Sequence, residues 1–65
     1  MYNKIMEEER FLRVYASLPL NLRGEIILVL PDRGPITWDV AYLEINNHTK
    51  LGEEIFRKLI ELKII

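Results

Sequence analysis

Cysteine is missing altogether from a chain of 65 residues, and its absence removes disulfides from the means that usually hold so short a fold together. A single histidine with no cysteine leaves too few soft ligands for a structural zinc site, which takes four Cys or His side chains. Neither a metal nor a cofactor is expected, and self-association is the remaining support for a core this small. Long apolar runs are lacking too: none approaches the ~20 residues needed to cross a bilayer. The opening Met1-Tyr2-Asn3-Lys4-Ile5-Met6, followed by Glu7-Glu8-Glu9-Arg10, has neither the basic start nor the continuous apolar stretch of a secretory signal. A cytoplasmic chain with no membrane partner is the expectation.

Basic blocks are absent as well, and the formal net charge is −1. This argues against tight non-specific binding to nucleic acid, yet leaves room for a few basic groups placed locally, because phosphate contacts depend on where charge sits. Nucleophile arrangements are equally thin. Ser17 and Thr37 have only His48 as an imidazole base, with nothing tying the three together. Gly24, Gly34 and Gly52 form no phosphate-cradling loop, and no Gly-Lys-Ser/Thr sequence occurs, so nucleotide hydrolysis has no motif. No catalytic residue is assigned, and the chain is not expected to be an enzyme.

What is present is the mixture of a packed domain: 49% of the residues are apolar and 29% charged, which separates the chain from disordered tails. One domain spanning 1–65 is expected, with an N-terminal helix over 1–18, available for dimer packing, and a core over 19–65. Over Tyr2 to Leu18, Ile5, Leu12, Tyr15 and Leu18 fall near one helical face with Phe11 flanking it. Glu7, Glu8 and Glu9 read as a solvated acidic run favoured by the helix dipole. Pro19 ends this helix and suits the first turn of another. Leu22, Ile26, Val29 and Leu30 then form a helical stripe, while the β-branched, continuously apolar run from Glu25 to Leu30 also fits a short buried strand.

Pro31-Asp32-Arg33-Gly34-Pro35 is a firm break. Beyond it the spacing is ambiguous: Trp38, Ala41, Tyr42 and Ile45 match a helix, whereas Ile36, Trp38, Val40 and Tyr42 alternate as in a strand. Thr37 as N-cap and Asp39 in the first turn favour the helix, with Asn46 and Asn47 as its stop. A strand there would instead build a β-hairpin. The last helix is clearer. His48 or Thr49 caps a stripe of Leu51, Ile55, Leu59 and Leu62 widened by Phe56, and Glu53 and Glu54 stand four residues before Arg57 and Lys58. Gly52 inside it costs ~1 kcal/mol relative to alanine. Trp38, Tyr42 and Phe56 are read as core residues and not as a base-stacking platform. The expected fold is therefore mainly α, a small three- to four-helix domain, with an α+β alternative carrying a β-hairpin at 25–45 between two helices.

Taken together, Gly34-Pro35-Ile36-Thr37, a short helix to Ile45, the turn Asn46-Asn47-His48 and a longer helix ending Leu59-Ile60-Glu61-Leu62-Lys63-Ile64-Ile65 resemble the helix-turn-helix core of winged-helix transcription regulators. Leu18 to Ile27 resembles the helix that packs across that pair, and the sequence stops where the wing hairpin would begin. The resemblance implies a cap at Thr37, leucine-region residues Leu59 and Leu62, and a terminal aliphatic pair, Ile64-Ile65. It implies double-stranded DNA as partner, a transcription-regulating homodimer, and His48, Thr49, Lys50 and Arg57 as groove and phosphate contacts. A protein-interaction module or antitoxin-like accessory subunit is the alternative, favoured by the net acidity and by Ile64-Ile65, whose exposure would leave an apolar patch for a protein partner.

Overall fold

The computed structural model describes the backbone of residues 4–65 and the side chains of residues 8–65. Among these residues the order of elements is α1 (Lys4–Ser17), a 3₁₀ turn (Leu20–Leu22), β1 (Ile26–Leu30), β2 (Gly34–Thr37), α2 (Trp38–Asn46) and α3 (Lys50–Glu61). The fold is α+β: three helices and one two-stranded antiparallel hairpin. This overturns the mainly α expectation, and the correction comes from one segment.

The expected second helix is a 3₁₀ turn followed by a strand. Leu22, Ile26 and Val29, three members of the helical stripe, are 41%, 59% and 67% exposed, while Leu28 and Leu30 are buried. Burial therefore follows the two-residue period of a pleated strand from Leu28 to Leu30 and not the 3.6-residue period of a helix. The β-branched residues Ile26, Ile27 and Val29 favour that state, and the segment after the prolines supplies the partner strand. Leu28 pairs with Ile36, Val29 with Pro35 and Leu30 with Gly34, with a register irregularity between Ile26 and Leu28 that lets both Ile27 and Leu28 reach the core. The reversal is closed by the Arg33 N–H donating to the Leu30 carbonyl at 3.2 Å. Gly34 follows at φ 86°, a backbone conformation that side chains disfavour.

The ambiguous stretch after the turn contains both structures, divided at Thr37. Its side-chain oxygen accepts from the Val40 N–H at 3.1 Å, the cap that the sequence predicts. Two more amides of the first α2 turn are taken up by the chain entering β1: Trp38 N–H donates to the Glu25 carbonyl at 3.2 Å and Asp39 N–H to the Arg23 carbonyl at 3.0 Å. A helix start leaves its first N–H groups without intrahelical partners, so the hairpin and Thr37 together turn a strand into a helix within one residue. Contrary to the α+β alternative, the second strand ends at Thr37 and not at Ile45.

One apolar cluster joins the elements: Phe11 from α1, Leu28, Leu30 and Ile36 from the hairpin, Ala41 and Ile45 from α2, and Ile55, Phe56 and Leu59 from α3. Phe11 is fully buried and central, where the sequence placed it at the margin of its face. Ile5 lies outside the described side chains. Leu62, expected to continue the α3 stripe, is exposed, because α3 ends at Glu61 and Lys63 turns left-handed at φ 59°. Lys63 N–H then reaches the Ile60 carbonyl and Ile64 N–H the Leu59 carbonyl, the paired bonds of a Schellman ending.

Candidate nucleic-acid interface

The turn Asn47-His48-Thr49 joins α2 to α3. His48, and not an asparagine, adopts the left-handed conformation at φ 55°. Its N–H donates to the Ile45 carbonyl at 3.1 Å and that of Thr49 to the Glu44 carbonyl at 3.2 Å, a second Schellman ending. Thr49 then caps α3: its oxygen accepts from the Gly52 N–H at 2.9 Å while its hydroxyl donates to Glu44 Oε1 at 2.6 Å. Glu44 thus holds the turn at both its backbone carbonyl and its carboxylate. The carboxylate also stands close to the N-terminus of α3, where negative charge is stabilised by the helix dipole.

Gly52 explains how closely the helices approach. A Cβ built there would stand 2.3 Å from the Glu44 carbonyl oxygen, 2.5 Å from its carbon and 2.8 Å from the Ile45 nitrogen. Any side chain at this position would collide with α2 backbone, so the glycine that local propensity disfavours is required by the helix crossing. A glycine early in an otherwise strong helical pattern was the available signal of a close approach. The carboxylate of Glu44 as partner of Thr49 had no such signal, since it depends on the turn geometry.

The other end of α2 is tied to α1. Tyr15 O–H donates to Asp39 Oδ1 at 2.6 Å; the Tyr15 ring stacks on Tyr42 at 4.4 Å, and the Arg23 guanidinium lies 4.5 Å from its centroid. Ring stacking and cation–π attraction therefore act together on Tyr15. Hydrogen bonding to the Asp39 carboxylate, seconded by desolvation, raises the Tyr15 pKa above its ordinary 10.0. Trp38 stacks on Phe11 at 6.2 Å. Trp38 and Tyr42 are therefore engaged with α1 side chains.

The four residues singled out for DNA contact are distributed unequally. Lys50 and Arg57 are exposed and seven positions apart on α3, which puts them on one face about 10 Å apart along the axis. Lys58 is paired with Glu61 at 3.3 Å. His48 is exposed at the turn, its Nδ1 3.7 Å from Glu8 Oε2 on α1. Thr49 is partly buried with its hydroxyl committed to Glu44. Glu53 and Glu61 are exposed on the same stretch, so the outward face of α3 alternates in sign.

Among the described residues, no group of three or more His, Asp or Glu side chains could hold a metal ion, and no helix is long and apolar enough to cross a membrane. No protein-family model matches the sequence, and no curated protein or solved structure is significantly similar to it.

Proposed function

We propose that the chain binds double-stranded DNA through α3 as a cytoplasmic, non-enzymic transcriptional regulator of the helix-turn-helix kind. The observation that carries this reading is the division of α3 into two faces. Gly52, Ile55, Phe56 and Leu59 lock one face onto the domain, and the other presents Lys50 and Arg57 from a helix whose start is braced by Thr49 and Glu44. Lys50 and Arg57 are the phosphate or base-edge contacts, with His48 beside them. Thr49 is a positioning residue, acting through the angle at which α3 leaves the turn. In this reading the functional unit is a homodimer whose recognition helices lie about 34 Å apart on a near-palindromic operator.

The test is fluorescence anisotropy with random-sequence duplex DNA from about 50 to 200 mM salt. Each lost phosphate contact lowers the slope of log affinity against log salt by about 0.9, so Arg57→Ala and Lys50→Ala each flatten the slope while Arg33→Ala, at the hairpin turn, leaves it unchanged. Absence of binding at the lowest salt, or slopes identical to wild type in both α3 variants, overturns the reading.

A protein-interaction module is the second reading, favoured by the exposed apolar side chains of α2, Val40 at 37% and Leu43 at 54%, which stand three positions apart on one face. Stoichiometric co-purification of another protein that is lost on Leu43→Glu, together with no DNA affinity, selects it.

A further inference from the structure

We propose that Glu54 is the specificity-determining residue of α3, selecting duplex DNA that offers a cytosine amino group between the contacts of Lys50 and Arg57. The inference rests on the DNA reading above and adds to it the base that the site reads. Positions 50, 54 and 57 follow the i, i+4, i+7 spacing of one helical face. Glu54 therefore stands about 6 Å beyond Lys50 and about 4.5 Å before Arg57 along the helix axis. That face lies opposite Gly52, Ile55, Phe56 and Leu59, the buried residues of the helix.

The other two acids of α3 are accounted for by the helix itself. Glu53 lies in the first turn, where the helix dipole stabilises a carboxylate, and Glu61 takes Lys58 at 3.3 Å. Glu54 has neither role. It lies beyond the first turn, is partly exposed, and makes no ion pair or hydrogen bond through its carboxylate among the described residues. Carried towards DNA on the same face as two cations, that carboxylate meets phosphates, which repel it, and base edges, of which one suits it. Guanine shows only the acceptors N7 and O6 in the major groove, thymine an acceptor and a methyl group, and adenine an acceptor beside its donor. Cytosine presents the N4 amino donor without an acceptor, the match for a side chain that can only accept.

Reading a base edge requires a helix held in one place. The contact of Gly52 with the Glu44 and Ile45 backbone fixes the roll of α3, and the Thr49 cap, accepting from the Gly52 N–H at 2.9 Å, fixes its start. Glu54 follows two residues later on this braced segment, so its direction is set by the same contacts. In a chain whose net charge is −1, the carboxylate has a second effect. Over any base other than cytosine it stands unpaired beside phosphates, which weakens binding to the wrong sequence without new contacts to the right one. Lys50 and Arg57 thus hold the backbone, and Glu54 decides where they can do so.

The test is selection from a pool of randomised duplexes by the full chain at about 50 mM salt, followed by anisotropy on the enriched duplex and its single-base variants. Wild type is expected to enrich cytosine at one position and to bind the other bases there about tenfold more weakly. Glu54→Gln is expected to move that preference to adenine, since an amide both donates and accepts as adenine N7 and N6 require, and to bind random-sequence duplex more tightly than wild type. Glu54→Ala is expected to lose the preference without gaining another. Asp32→Asn, which removes the same charge from the exposed hairpin turn, leaves base preference and random-duplex affinity unchanged. Each variant is compared with a circular dichroism spectrum like that of wild type. A wild-type chain that binds DNA without preferring cytosine, or a preference kept in both Glu54 variants, overturns this proposal and leaves the DNA reading standing. No binding by wild type overturns both.

Discussion

Adding one methyl group at Gly52 sets two quantities of opposite sign against each other. Helix propensity alone favours alanine over glycine by about 1 kcal/mol, so an α3 free of neighbours would be stabilised by Gly52→Ala. In the folded chain the new carbon would stand 2.3 Å from the Glu44 carbonyl oxygen and 2.8 Å from the Ile45 nitrogen. Both are backbone atoms that no rotamer change can move aside. Ordinary van der Waals contact is restored only if the end of α2 retreats by about 1 Å. That retreat loosens the core shared by Ile45, Ile55 and Phe56 and pulls the Glu44 carboxylate from Thr49. Overpacking of this kind costs about 1–3 kcal/mol, and a weakened hydrogen bond adds about 1 kcal/mol. After subtraction of the propensity gain, Gly52→Ala is expected to destabilise by about 2 kcal/mol, a fall in Tm of about 8–16 °C for a domain of this size. Thermal and urea unfolding followed by circular dichroism measure it. Gly24→Ala is the control, because nothing lies within 4 Å of a Cβ there. A Gly52→Ala variant as stable as wild type, or more so, would refute the close α2–α3 crossing and with it the placement of Lys50 and Arg57.

Thr49→Ala removes the α3 cap and the hydroxyl that faces Glu44, and a loss of about 1–2 kcal/mol is expected in urea denaturation; Thr49→Ser keeps both bonds and stays within about 0.5 kcal/mol of wild type. Lys63→Gly relieves a left-handed residue at φ 59°, and, after allowance for the greater freedom of glycine in the unfolded chain, stabilises by about 0.5–1 kcal/mol. A drop in Tm would contradict the Schellman ending of α3. The Tyr15 hydroxyl, hydrogen-bonded to Asp39, holds its proton beyond its ordinary value of 10.0. Its contribution to stability is therefore complete below pH 10.0 and is lost as the pH rises through the elevated value, since the unfolded chain releases that proton first. Phenolate absorbance should show Tyr15 titrating above its ordinary value, and at lower pH in Asp39→Asn than in wild type.

Legibility tracks the range of the interactions involved. The α3 helix, its Thr49 cap and the Thr37 cap of α2 follow from residues within four positions of one another, where a side-chain oxygen meets a nearby amide or an apolar stripe repeats. Composition likewise excludes disulfides and bounds the chain to a small core. Ile26 to Leu30 carried helical spacing and strand chemistry together, and nothing local chose between them. The choice came from Gly34 to Thr37, which offers a ladder, and from the core, which accepts Leu28 and Leu30 but not Ile26 and Val29. Phe11 moved from the margin of its helix to the centre of the core because Trp38 lies beside it, a neighbour twenty-seven positions away in the chain. Gly52 shows the division most clearly: local propensity marks it as a weakness of α3, and only the backbone of Glu44 and Ile45, brought against it by the turn at His48, makes it a requirement. Sequence by itself determined the caps of α2 and α3 and most of the α3 apolar stripe; the tertiary structure decided that Ile26 to Leu30 is a strand and which faces meet, because burial and close approach are properties of pairs of elements and not of either one alone.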